Sequence, residues 1–210
     1  MTDATTRTPF KRIGSHPVAD FINTVGGRVA GSRRAGRDFA DTILAERLEH
    51  FDDLLRWAAE GRLLGGAEIR RIGQRPARAR SEALRRALQL REALYRLFKA
   101  AIEAWPPQPA DLAILTRVAE QARGAERLHR VHDRPVWVLP ADGNPDGISR
   151  IVALSAVDLL ASADLGRVRQ CPGERCGWLF VDTSRNGSRQ WCDMGDCGNI
   201  AKVRRFRARQ

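Results

Sequence analysis

Lysine is almost missing from this chain: Lys11, Lys99 and Lys202 are three of 36 basic residues, and the rest are arginine. Genomic base composition produces such a skew as readily as function does. The net charge of +11 is therefore a weak pointer, on its own, to a polyanionic partner. Long apolar runs are absent too. No stretch approaches the roughly 18 residues a membrane helix needs, and Met1 to Phe10 is Thr-rich, without the apolar centre of a secretory signal. The expectation is a soluble, cytoplasmic protein with no membrane partner. The sequence also lacks a Gly-rich phosphate loop, a nucleophile elbow and a zinc-protease helix. Its four histidines, His16, His50, His129 and His132, form no ligand constellation, so no enzyme is expected and no catalytic residue is assigned. Cysteine is scarce at four in 210 residues, but it is not scattered.

What is present reads mostly as helix. Residues 1–10 are expected to be a flexible tail and residues 11–165 a helical domain. His16 to Val25 is short and amphipathic, with Pro17 suited to a first helical turn, and Val25 to Arg37 is a Gly/Arg-rich loop. Asp52 is expected to cap a helix running through Glu60 to Gly61, and Ala67 to Gly73 forms another short one. Ser81 to Ala104 carries the strongest helical periodicity, through Leu84, Leu88, Leu94 and Phe98, with Ser81 as its expected cap. Pro106, Pro107 and Pro109 interrupt it, and Asp111 to Ala122 resumes the pattern. Arg127 to Leu139 reads as a β-hairpin turning at His132 to Pro135, and Ser149 to Ala161 as a further helix. Trp57, Trp105 and Trp137 are expected in the core or a pocket wall. The fold class is thus mainly α with a small β-hairpin (α+β), joined by a short, helical link at Asp164 to Gln170 to a cysteine module.

All four cysteines lie in that module, as Cys171-x4-Cys176, fifteen residues, then Cys192-x4-Cys197. Two close pairs separated by a hairpin-sized insert bring four thiolates to tetrahedral geometry, so one structural zinc ion is the expected cofactor. Two disulfides and an iron–sulfur centre are competing readings of the same spacing. The lack of a secretory signal speaks against the first. Within the insert, Trp178 to Val181 is strand-like, Asn186-Gly187 signals a turn, and Arg189 to Trp191 is expected to return as the second strand. A helix follows from Gly198 to Arg207, which gives the treble-clef order of knuckle, hairpin and helix.

The motifs carry a resemblance. Cys171 to Arg209 is similar to the CGNR zinc finger, through GWLFVDTSRN from Gly177, then RQWCDMGDCGN, then AKVRRFRAR. The signature Cys-Gly-Asn-Arg reads Cys197-Gly198-Asn199-Ile200 here, so isoleucine stands where the signature has arginine. The segments His16 to Thr24 (HPVADFINT) and Asp53 to Trp57 (DLLRW) resemble the ABATE domain of stress-induced transcription regulators. The resemblance implies a bacterial DNA-binding regulator with an N-terminal sensing domain.

Residues 166–210 hold ten Lys/Arg against four acidic residues, the most basic part of the chain. Arg185, Arg189, Asn199, Lys202, Arg204, Arg205, Arg207 and Arg209 are the candidate nucleic-acid contacts. Asn199 either reads a base edge or caps the helix, and Val203 and Phe206 are expected to pack on the finger. The eight arginines from Arg70 to Arg91 read as a solvated helix face, with Glu82 pairing to Arg85 or Arg86. His16, Asp20, Asn23 and Thr24 are candidate ligand contacts, or else they satisfy buried backbone groups and cap a helix. The functional expectation is a transcription regulator that binds DNA and either senses a small-molecule effector or forms a homodimer. The alternative is an interaction module binding RNA or a protein partner.

Overall fold

The computed structural model describes residues 8–29, 41–140 and 142–209. Most of the expected flexible tail (1–7) and of the Gly/Arg-rich loop (30–37) lies outside the described residues. In chain order the elements are α1 (Pro17–Ile22), β1 (Arg28–Val29), β2 (Thr42–Ile43), α2 (Phe51–Glu60), α3 (Gly66–Gly73), α4 (Ala77–Ile102), α5 (Pro109–Ala125), β3 (Arg127–Val131), β4 (Arg134–Val138), α6 (Gly147–Ala161), β5 (Val168–Gln170), β6 (Leu179–Val181) and α7 (Asn199–Arg207). A 3-10 turn (Ala163–Arg167) precedes β5, and one π-helical turn (Met194–Gly198) leads into α7.

Alanine and leucine at helical spacing make α4 the axis of the fold. Ala83, Ala87, Leu90, Leu94, Leu97 and Phe98 are buried along it, and α1, α2, α5, α6 and β5 pack around it. The helix begins four residues before Ser81. Pro76 sits just outside its first turn, and Ala77–Arg80 are good helix formers that need no hydroxyl cap. The cap of α2 is likewise His50 rather than Asp52, and the His50 N–H donates to Asp53 Oδ2 at 3.0 Å. Trp57 is fully buried and Phe21 tilts against it with ring centroids 5.2 Å apart. Trp105 and Trp137, expected inside, stand 39% and 63% exposed. Phe10 is not loose: it is buried, with the guanidiniums of Arg47 and Arg56 over its ring.

Strands β3 and β4 form the expected hairpin, though its turn is the two residues His132 and Asp133, both with positive φ, and Arg134 and Pro135 already belong to β4. Both faces of the hairpin are exposed. The arginines from Arg70 to Arg91 divide. Arg78 pairs with Glu82, Arg80 with Asp52 and Arg86 with Asp146, whereas Arg91 is buried and held bidentate by Glu46.

The cysteine module departs most from expectation. Residues 189–191 are not a strand. The partner of β6 is β5, antiparallel with Val168 opposite Val181, so the expected helical link is a 3-10 turn followed by a strand. Segments from the start of the chain hold the other edge of β6: Val181 N–H donates to Gly14 O at 2.8 Å, and Asn23 brackets Leu179. Asn23 Nδ2 donates to Leu179 O at 2.7 Å, and its Oδ1 accepts from Leu179 N at 2.9 Å. Asp182, fully buried, accepts from the N–H of Arg189 at 3.0 Å, which bends the return segment away from β6. Successive side chains of a strand point to opposite sides. Leu179 and Val181 join the large helical core, while Trp178 and Phe180 join a small core with Val25, Cys171 and Cys192.

A buried polar network adds a second tie. Arg28, 2% exposed, stacks on Tyr95 and holds Glu92 bidentate, while its N–H donates to Cys176 O at 2.9 Å. Lys99 Nζ donates to Gln170 Oε1 at 3.0 Å, and Gln170 Nε2 donates to the Tyr95 hydroxyl at 2.9 Å. Replacing Asn23 by Ala strands both peptide groups of Leu179 in the interior at roughly 1–3 kcal/mol each. Urea unfolding of Asn23→Ala is expected to show a loss of about 2–4 kcal/mol, with the chain still folded at low denaturant.

Candidate metal centre and basic helix

The first cysteine pair is set by the β5–β6 hairpin. Cys171 N–H donates to Trp178 O at 2.8 Å and Cys176 N–H to Gly173 O at 2.9 Å, closing a tight loop at the strand ends. The N–H groups of Gly173 and Cys192 point at the Cys171 sulfur, and that of Trp178 at the Cys176 sulfur. Glycine suits position 173, where a Cβ would stand 3.0 Å from Cys176 Cβ and 3.3 Å from Cys197 Sγ and press on the cluster. The second pair is set by the π-helical turn. Asp193 starts it, its Oδ1 accepting from Gly195 N–H at 2.8 Å, and Lys11 pairs with both Asp193 and Asp196.

The four sulfurs all lie within 4.8 Å of one another. All four cysteines are free, and the Cys176 and Cys192 sulfurs, 3.4 Å apart, are well beyond a disulfide bond of about 2.05 Å. Cys171 and Cys192 are buried and the other two half-buried. Hydrogen bonds from the Cys176 and Cys192 thiols push the Cys171 thiol far below its ordinary range. Donating into the Cys171 thiolate raises Cys176 and Cys192 in turn. A cluster that ionises one thiol and crowds three more around it is chemically suited to a divalent cation, which takes thiolates and displaces the remaining protons. The spacing leaves room for a single ion. Four protein ligands close its shell, which is the arrangement of a structural rather than a catalytic site.

From Cys197 the chain runs straight into α7, which carries Lys202, Arg204, Arg205 and Arg207, with Arg209 just beyond, and no acidic residue. All five are exposed. Arg204 makes an exposed ion pair with Glu174. Asn199 is the first helical residue and is exposed, and Gly198 holds the cap position without any side-chain capping bond, so Asn199 does not cap. Ile200 is 53% exposed and fills no apolar gap. Val203 and Phe206 do not pack into the finger either; they are 41% and 65% exposed, and α7 meets chiefly the π-helical turn. Arg185 stands exposed at the Ser184–Gly187 turn. Arg189 is placed differently: its guanidinium lies over Phe180 and donates to Ile13 O, Ser15 Oγ, Trp191 O and Cys192 O. Four of its five N–H donors are used within the protein.

The candidate ligand residues separate into two pairs. Asn23 and Thr24 are buried and serve the fold, Asn23 through Leu179 and Thr24 by donating from Oγ1 to Phe21 O at 2.7 Å. His16 and Asp20 border an open cleft of about 330 Å³ together with Arg12, Glu60 and Arg62. His16 Nδ1 caps α1 by accepting from Val18 N–H, and Asp20 Oδ1 accepts from Gly14 N–H at 2.8 Å. Burial pushes the Asp20 carboxyl above its usual range, against the pull of Gly14 and Arg12, and it lowers the His16 imidazole. Nothing in the sequence pattern separated these two pairs. The residues that tie the module to the helices, Arg28, Glu92, Tyr95 and Gln170, also escaped it, because an arginine in a Gly/Arg-rich stretch carries no sign of burial.

Comparison with known families finds two matches. The CGNR zinc finger matches residues 167–210, and ABATE, described as "Putative stress-induced transcription regulator", matches residues 15–163. A search of curated proteins found no match.

Two measurements test the site. Elemental analysis of the purified chain is expected to find one metal ion per molecule, lost in Cys192→Ser. Because Cys171 and Cys192 sit in the small core behind β6, that loss should also lower the melting temperature of the helical part. For Asp20 the folded carboxyl titrates above its unfolded value near 3.9, so ionising it costs stability once the pH exceeds that value. Asp20→Asn keeps the acceptor for Gly14 and removes this penalty. Its melting temperature should exceed that of the parent chain at pH 7, with the gain shrinking as the pH falls towards about 4.

Proposed function

This chain belongs to the ABATE family and carries a CGNR zinc finger, and on that basis we propose that it regulates transcription by binding duplex DNA through α7. The observation that carries the reading is the placement of Lys202, Arg204, Arg205 and Arg207 on a helix that starts at the closed four-cysteine site and bears no acidic residue. The bound ion is zinc, and its work is structural: it fixes the direction in which α7 leaves the protein. Arg185 and Arg209 extend the basic surface, and Asn199, free of any capping duty, faces the same partner. Arg189 drops out of the contact set because its donors are committed to Ile13, Ser15, Trp191 and Cys192.

In this reading the helical part supplies control. An effector in the cleft beside His16 and Asp20 would sit on the segment whose Ile13 and Ser15 hold Arg189, so occupancy there reaches the module through one short stretch of chain. A homodimer is the other form of control. Its support is the outward pair Leu128 and Trp137, opposite one another on the hairpin and 58% and 63% exposed.

Salt titration of binding to a labelled duplex measures the contact set directly. Each phosphate neutralised contributes about −0.9 to the slope of log K against log salt. The variant with Lys202, Arg204, Arg205 and Arg207 all replaced by Gln is expected to lose duplex binding near 150 mM salt and to flatten the slope by about 2–4. Unchanged binding by that variant would remove α7 from the interface. Tighter binding to a single-stranded RNA of the same length would replace DNA as the target.

A further inference from the structure

The exposed residues of α7 are not all basic, and their order around the helix is specific. At about 100° per residue, Ile200, Val203 and Phe206 form one stripe about 120° wide. They are 53%, 41% and 65% exposed. Ala201, the half-buried residue that meets the body, lies about 160° from the centre of the stripe, so the stripe faces away from the protein. Lys202 stands about 100° to one side of that centre and Arg204 about 100° to the other, while Arg207 lies within the stripe, about 40° off its centre. An apolar strip between two cations, on a helix without a single acidic residue, has no partner among the described residues.

We propose that α7 is a recognition helix whose apolar stripe reads thymine methyl groups in the DNA major groove. The inference rests on the DNA reading above and adds what is recognised. A major groove about 12 Å wide accepts a helix of about 10–12 Å diameter, with phosphates along both walls and thymine methyls on the floor. The order cation, apolar strip, cation matches wall, floor, wall. Lys202 and Arg204 reach opposite phosphate strands, Ile200, Val203 and Phe206 touch methyl groups, and Arg207 reaches a guanine edge beside them. Arg204 gives up only its exposed pair with Glu174, a weak interaction in water. Pairing with a second copy through this face would set Lys202, Arg204 and Arg207 against their own equivalents, and the like charges repel.

The test uses the full chain with its metal. A preferred duplex is selected from a random pool, and each thymine is then replaced by uracil, which removes one methyl and nothing else. Wild-type affinity is expected to fall about fourfold for each methyl in contact, the equivalent of one buried carbon. Val203→Ala and Phe206→Ala should each lose the thymine–uracil difference at the position that side chain contacts and keep it elsewhere, with an unchanged salt slope, their metal content and melting temperature confirming the fold. Salt-dependent binding by the wild type with no thymine–uracil difference at any position overturns the methyl reading and leaves DNA binding standing. No duplex binding at all overturns both. A stripe variant that leaves duplex affinity intact while converting a sedimenting dimer to monomer overturns the proposal in favour of self-pairing.

Discussion

Strand β6 is three residues long, and the rest of the protein is arranged around the fact that it serves two interiors. Leu179 and Val181 complete the apolar core built on α4, while Trp178 and Phe180, on the opposite face, wall in the four cysteines. Neither interior closes without it. The cysteine module is too small to build a core of its own, as most segments of this size are. It sets a four-cysteine metal site on one side and a borrowed helical surface on the other. The edge of β6 that a finger hairpin would use is filled by Gly14 and Asn23, so the module is joined to the helices by backbone hydrogen bonds as well as by packing.

Arginine does two opposite jobs here, which is why the total charge is a poor guide to function. Arg28 and Arg91 are buried and neutralised by Glu92 and Glu46, and Arg12 and Arg189 are folded against aromatic rings, Arg12 donating to Trp57 O and Arg189 to Ile13 O. Buried pairs of this kind add little net stability over apolar residues of the same size, but they penalise any packing that separates the partners. They fix the register between the segment before β1, α4 and the first cysteine loop. Among the described residues the outward arginines of α7 have no such partners apart from the surface pair with Glu174, and with Lys202 they carry most of the electrostatic case for a nucleic acid.

The sequence disclosed what depends on local pattern. Helices α1 to α6 and the β3–β4 hairpin follow from periodicity, proline position and turn chemistry, and the four cysteines follow from spacing. Pairing between distant segments was not legible. Arg189 to Trp191 has strand-like composition after a good turn signal, yet the buried carboxylate of Asp182 and the prior occupation of the β6 edge draw it elsewhere. Asn23 reads equally as a ligand contact or as a partner for buried backbone, because a polar residue at the end of an amphipathic helix has the same appearance whether it faces a cleft or a distant strand. The outward face of α7 was misjudged for the reverse reason. Val203 and Phe206 have core-like side chains, and no feature of the sequence says that the body supplies nothing to cover them.

The contacts between the two extremities of the chain have a consequence for how the protein is made. Asn23 and Leu179 are 156 residues apart, Ile13 and Arg189 176, and Lys11 and Asp196 185. At about 5–20 residues per second, the segment containing α1 leaves the ribosome roughly 8–30 s before the strand that completes it. Throughout that interval Gly14 and Asn23 lack their partners, and the apolar face of α1 has only the nascent helices to shelter it. Folding of the helical part waits on a segment synthesised well after it. A ribosome that stalls short of β6 therefore holds out a helical body with its sheet edge unfilled, open to chaperones and proteases alike.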